Sequence, residues 1–215
     1  MNIITSYVHI KHNQIAVNGE RVFQFEKDKG PLEFLSEAYK AIGTSYPKFH
    51  KMDLQCKLGI VAVDFVLQKN DFLKNNSLDK IAIVLSNTAS SIETDRQHQL
   101  SISDKSNYFP SPAVFVYTLP NIVIGEIAIK YKITGENAFF VTEKMDANLL
   151  VSYSEIMLNE TTDALITGWI EVDGDAMDAF IFLVEKEINI NKNSNFKPLN
   201  QTTINQLYNQ TPWTH

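Results

Sequence analysis

The chain has 215 residues, of which 44% are hydrophobic and 20% charged, the mixture of a soluble globular protein of ordinary size. A net charge of −6 argues against a nucleic-acid or anionic-membrane partner, and the single cysteine, Cys56, excludes an internal disulfide and a cysteine-rich metal site. No apolar run approaches the ~20 residues of a membrane span, and the opening MNIITSYVHIKHN lacks a signal-peptide pattern, so a cytoplasmic location is expected.

Residues 3–9 are rich in β-formers, and 13–25 read as a hairpin, or a strand and loop, about Asn18-Gly19. Pro31 opens a helix in which Leu32, Leu35, Ala38, Tyr39 and Ile42 recur at helical spacing, with Gly43 as its stop. A second helix spans 52–69, with Leu58, Val61, Ala62, Phe65 and Val66 in one apolar stripe. The continuous apolar run 80–86 suits a strand buried on both faces of a parallel sheet. A polar turn over 86–91 leads to a third helix near 90–101.

Pro120 starts a helix over 120–131 that is apolar on nearly every side, a pattern expected to be covered all round. Residues 138–142 read as another buried strand. Asp146 then caps a helix carrying Leu149, Leu150, Tyr153, Ile156 and Met157 on one face. Two strands, 163–172 and 178–187, are joined by the Asp173-Gly174-Asp175 turn and should be antiparallel neighbours. From 188 the chain is rich in Asn and Gln and reads as an extended or mobile arm with one short helix at 201–208. The expectation is one domain over 1–187, a polar tail over 188–215, and an α/β fold: a mostly parallel central sheet with an antiparallel edge and helices on both faces.

Candidate chemistry is sparse. Cys56 falls within a helix beside the apolar stripe, where a thiol is a small core or surface residue rather than a nucleophile. His9, His12, His50 and His98 show no ligand spacing, since His9 and His12 would face opposite sides of a strand. Asp163, Glu171, Asp173, Asp175 and Asp178 surround a hairpin and read as a solvated turn rather than a metal site. Thr88-Ala89-Ser90-Ser91 follows a strand where a phosphate could sit, but it lacks glycine and fits helix capping better.

Four segments in order resemble the N-terminal half of β-ketoacyl-acyl-carrier-protein synthases of the thiolase fold. Lys51-Met52-Asp53 resembles the family's helix start, and strand 80–86 followed by Asn87-Thr88 and a helix with Glu93 resembles its strand and turn. Leu119-Pro120-Asn121, Gly125, Ile127-Ala128-Ile129, Tyr131 and Gly135-Glu136-Asn137 match the family pattern in spacing, and Asp163 through Trp169 resembles a later strand. The resemblance covers roughly 45–185 and implies a thiolase-like half.

The family's nucleophilic cysteine opens a helix, and counting from Gly135 places it on Lys144, with no Cys, Ser or Thr at 143–148. Lys144 is either a reactive amine at a helix N-terminus or a solvated or ion-paired lysine beside Glu143. The family's histidine pair belongs to a C-terminal half that these residues do not include. The resemblance therefore implies no catalytic residue, no cofactor and no metal. It implies a non-catalytic binding or scaffolding subunit in fatty-acid, polyketide or polyene-type lipid synthesis. The alternatives are half of a split condensing enzyme and an acyl-thioester hydrolase. The implied partners are a second copy of the chain or a full-length ketosynthase, with acyl carrier protein as a further candidate. The implied interface is Phe139, Phe140, Val141 and Thr142, where two such strands run side by side across a two-fold axis in the family dimer.

Overall fold

A computed structural model describes residues 1–26, 29–106, 108–158, 161–187 and 196–210. The chain runs through β1 (Asn2–Lys11), β2 (Gln14–Val17), β3 (Glu20–Gln24), α1 (Pro31–Ile42), a 3-10 turn (Pro47–Lys51), α2 (Leu54–Leu67), α3 (Phe72–Asn75) and β4 (Ile81–Asn87). It continues with α4 (Ile92–Ser103), α5 (Pro112–Val116), α6 (Ile122–Tyr131), β5 (Asn137–Val141), α7 (Ala147–Met157), β6 (Ala164–Asp173), β7 (Ala176–Lys186), β8 (Lys197–Pro198) and α8 (Gln201–Asn209).

One sheet holds all eight strands, in the order β3-β2-β1-β7-β6-β4-β5, with β8 beside β1. β4 pairs in parallel with both β5 and β6, while β7 is antiparallel to β6 and to β1. β1, β4, β5 and β6 thus point one way and β7 alone among the central strands runs against them. The antiparallel edge of the sheet is the β1–β2–β3 meander. Two tight turns build that meander: Asn18 and Gly19 at φ 52° and 85°, as their sequence requires, and His12 and Asn13 at φ 51° and 54°, which the sequence reading passed over.

Helices cover both faces. α1, α2 and α6 lie over one core, containing Ile10, Phe34, Leu58, Ile83, Ile127 and Ile181; α7 and α8 lie over the other, with Leu150, Leu165, Trp169, Phe182 and Ile204. The helix enclosed on all sides is α2, not α6: every residue from Gln55 to Val66 is buried. Gly59 permits this, because a Cβ there would meet a Val123 methyl at 2.4 Å, so the missing side chain is the space that α6 occupies. The two helices are also tied by charge, since Lys130 and Tyr131 of α6 reach Asp64 of α2, whose second oxygen accepts from Thr44 at 2.9 Å. α6 buries Val123, Ile124 and Ile127 against this layer but leaves Ile129 62% exposed. The same rotation by a residue or so exposes Leu32 on α1 and Ile156 on α7, which the stripes placed inside.

The described part of the C-terminal stretch is not a mobile arm. Lys197 and Pro198 pair with Ile4 and Ile3 of β1, and α8, capped by Asn200, buries Ile204 and Leu207. Two apolar residues at helical spacing are enough to dock an otherwise polar helix. Residues 188–195 and 211–215 of the expected tail lie outside the described residues. No helix among the described residues is long and apolar enough to cross a membrane.

Candidate functional site

The expected interface residues lie on the terminal strand of the sheet. Among the described residues β5 pairs only with β4, in parallel, from Ile83↔Asn137 to Asn87↔Val141. The strand therefore has one unpaired side, and it is only half-buried, not enclosed as its apolar sequence suggests. Gly135 fixes the approach to it: a Cβ there would stand 2.3 Å from the Ile81 carbonyl oxygen, so the chain can pass this close to β4 only without a side chain.

Side chains alternate along β5 as a pleat demands. Phe139 packs toward α2 and α6, whereas Phe140 packs toward α7, its ring edge-on to Tyr153 at 4.7 Å. Val141 is 55% exposed. The Thr142 N–H continues the ladder by donating to the Asn87 carbonyl at 2.8 Å, and its hydroxyl donates to the Lys144 carbonyl, turning the chain out of the sheet.

Lys144 does not sit at a helix N-terminus. α7 begins at Ala147, and its cap is Asp146, whose carboxylate accepts from the N–H groups of Asn148 and Leu149 at 2.9 and 3.1 Å. The partial positive charge of the helix start is thus answered by a carboxylate, and Lys144 is an exposed lysine in the preceding bend. The helix that should activate a nucleophile here is already capped.

The remaining candidates resolve into structural roles. Cys56 is buried near the start of α2; burial first, then the nearby Asp53, holds its thiol well above the ordinary value, the reverse of an activated thiolate. His50 stands edge-on to the rings of Tyr39 and Phe49, and His98 tilts against Phe115. Of the acidic residues about the β6–β7 hairpin, Asp173 and Asp175 are exposed as a solvated turn requires, while Asp163 and Glu171 are held by partners. Asp163 takes Lys186 and Lys80 at 3.1 and 3.3 Å, and Asp173 takes Arg96 at 2.9 Å. Glu171 accepts from the N–H groups of Thr88 and Ala89 at 2.6 and 3.1 Å, so the turn weighed as a phosphate cradle already holds a carboxylate from its own chain. Burial keeps Glu171 above the usual carboxylate value despite those two donors.

Asp178 and His9 form a cluster the sequence did not foreshadow. Asp178 binds His9 Nε2 at 2.9 Å, Lys11 Nζ at 2.8 Å and the Tyr208 hydroxyl at 2.7 Å, while the Tyr208 ring stacks on His9 at 5.2 Å. Burial raises the Asp178 carboxyl, but His9, Lys11 and Tyr208 outweigh it and hold it below its ordinary value. The cluster clamps α8 to β1 and β7. Sequence reasoning also missed the exposed apolar side chains of the α4–α5 region, among them Leu100 (76%), Phe109 (80%) and Phe115 (56%), which have no helical or strand period to announce them.

This sheet order, with helices on both faces and β5 at the edge, is a ketosynthase-like thiolase fold, the class that the spacing of Leu119-Pro120-Asn121 and Gly135-Glu136-Asn137 anticipates. The chain is similar to the ishigamide ketosynthase/chain length factor, with a TM-score of 0.61 and 16% identity over 92% of this chain and 64% of that one. It is also similar to a type II polyketide ketosynthase solved with its acyl-carrier protein (TM-score 0.58, 13% identity, 87% of this chain and 63% of that one). A third similar structure is a ketosynthase in complex with its chain length factor from Xenorhabdus doucetiae (TM-score 0.53, 12% identity, 86% of this chain and 79% of that one). At these identities the likeness is one of fold, and the chain spans less than two thirds of the length of the first two structures. The sequence matches no family model and no curated protein.

Proposed function

We propose that this chain is a non-catalytic relative of ketosynthases, acting as a binding or scaffolding subunit in fatty-acid, polyketide or polyene-type lipid synthesis and pairing through the open edge of β5. The single observation that carries this reading is the contrast at that strand. Among the described residues its edge is unpaired, yet its exit, where a condensing enzyme needs a thiol on a helix N-terminus, bears Lys144 ahead of a helix capped by Asp146. Such an edge is a template for another strand, and ketosynthases that assemble with a chain length factor or an acyl-carrier protein are among the similar structures. The partner is a ketosynthase-fold chain, either a second copy or a full-length ketosynthase.

The split-enzyme alternative asks for a second half packed on α7. The outward residues of that helix are Asn148, Ser152, Glu155 and Ile156, three of them polar, and α8 already stands beside it. The hydrolase alternative would have to use a pair such as Ser91 and Asp95, or else Cys56. The Ser91 hydroxyl, however, also donates to the Thr118 carbonyl at 2.6 Å, and burial and Asp53 hold the Cys56 thiol protonated.

Two measurements test the proposal. Incubation with acyl-carrier-protein or coenzyme A thioesters should leave the intact mass unchanged; a stable acyl adduct on Cys56 or Lys144 would overturn the non-catalytic reading. Phe140→Asp places a charge on the pairing edge and should convert an associated form into monomer or insoluble protein, as read by light scattering. A well-folded monomer from the unmodified chain, both alone and with a ketosynthase, would sink the pairing claim.

A further inference from the structure

We infer that the cavity beside the C-terminal end of α2 binds a small organic cation, an aliphatic amine or guanidine, held by Glu185, Thr5 and Ser6. This cavity of about 960 Å³ lies between the sheet and the turn from α2 to α3, with Phe23, Phe65 and Phe72 among its walls. It sits at the opposite end of the sheet from Lys144. Glu185 is level with Ala164 and Ile81, where the parallel strands begin, whereas Lys144 follows the end of β5 beside Asn87. The site is therefore independent of whether β5 pairs.

Two features of the sheet aim polar groups into this space. Along β7, Ile181 and Leu183 face the core under α2 while Phe182 and Val184 face the other, so the next position on the α2 side is 185, where the apolar series gives way to a glutamate. On β1 the register slips between Ile4 and Ser6, which leaves two residues between Ile4 and Tyr7, both of which face the α7–α8 core. Such a bulge re-aims a side chain, and Thr5 and Ser6 both line the cavity. Glu185 is only 5% exposed. Among the described residues Asn76 donates to one of its oxygens at 2.8 Å, and no cation lies within ion-pair distance of it. The Thr5 hydroxyl is buried with no partner among those residues. A carboxylate withdrawn from water needs an opposite charge as well as hydrogen bonds. The rim does not supply it, since Lys74 is paired with Asp71 at 2.7 Å and Lys69 is exposed. An ammonium or guanidinium head brings the missing charge and enough donors for Glu185, Thr5 and Ser6 together. No group of three His, Cys, Asp or Glu gathers here among the described residues, and aromatic walls suit an organic cation better than a metal ion.

Putrescine and agmatine are the probes, titrated into the full chain and followed by amide resonances. Each should shift the amides of Thr5, Ser6 and Phe72 saturably, at a dissociation constant below ~1 mM, and leave those of β5 in place. Glu185→Gln keeps an acceptor for Asn76 but removes the charge, so it should raise the dissociation constant at least ~tenfold while the unfolding midpoint stays or rises. A purely structural Glu185 would give the reverse, a lower midpoint with binding unchanged, and would overturn the assignment. If that variant fails to fold, Thr5→Val removes the unpartnered hydroxyl at nearly constant shape and should weaken binding about threefold. Unaltered affinity in Thr5→Val overturns the proposal. So does the absence of saturable shifts with both probes, or binding of glutarate at the same amides in their place.

Discussion

The α7–α8 face and the β5 edge both present apolar side chains from the ends of the sheet's helix and strand layers, yet end differently. On the α7–α8 face, Ile204 and Leu207 reach zero or near-zero exposure and the Asp178 cluster fastens the helix that carries them. At the β5 edge, Phe139 and Phe140 remain only half-buried, Val141 is exposed, and a row of backbone groups faces outward. The chain completes one surface with its own C-terminal helix and leaves the other incomplete. A docked polar helix with a polar outer side has no apolar area left to bury, whereas an unpaired strand edge retains both hydrogen-bonding groups and apolar side chains.

If the α7–α8 face is closed, damage there should reduce stability most. Ile204→Ala removes a fully buried side chain and should cost about 2–4 kcal/mol, seen as a lower urea midpoint. Loss of less than about 1 kcal/mol would mean that α8 is only loosely held and that the contrast with β5 is false.

The next effect is a pH dependence located at the same clamp. The folded Asp178 carboxyl titrates below its ordinary value of 3.8, so its contribution is fully present above that value and is lost as pH falls from about 3.8 through the lower folded value. Asp178→Asn should flatten the acid limb of stability over that window and expose amides of α8 to faster hydrogen exchange. An unchanged acid limb would place the clamp elsewhere.

A smaller effect is expected at the start of α7. Asp146→Ala removes two cap hydrogen bonds and should cost about 1 kcal/mol in thermal or urea unfolding. The smallest belongs to the open strand: Val141→Ala should change monomer stability by no more than about 0.5 kcal/mol, since the side chain is already 55% exposed. Unfolding midpoints for all of these variants place the two regions on one scale, and a large loss from the last would show that the exposed edge is packed in solution.

Much of the local structure is legible because it rests on local rules. Pro31 and Gly43 bound α1, Asp146 caps α7, Asn18-Gly19 makes its turn, and Asp173 through Asp175 fold β6 onto β7. The short helix at 201–208 is α8. The spaced motif from Leu119 to Asn137 leads to a ketosynthase-like fold although no single piece of it is specific. Less was legible where two segments look alike. α2 and α6 are both strongly apolar, and only their packing, with Gly59 admitting Val123, makes α2 the enclosed one. The strands 81–87 and 137–141 are apolar in a similar way, yet one is central and the other marginal. At the candidate site, the cap at Asp146 was readable and already starts α7 beyond Lys144, whereas the marginal place of β5 in the sheet was not, because it depends on pairings with distant segments.

The sequence by itself determined most of the elements and many of their turns and caps, because propensity, spacing and residue chemistry act within a few positions along the chain. The tertiary structure alone decided that β7 lies between β1 and β6, that α2 is surrounded, that a polar tail docks through two apolar residues, and that β5 is last in the sheet. Each of these depends on which distant segments become neighbours, and a strand's apolar content reports that it needs cover without naming what provides it.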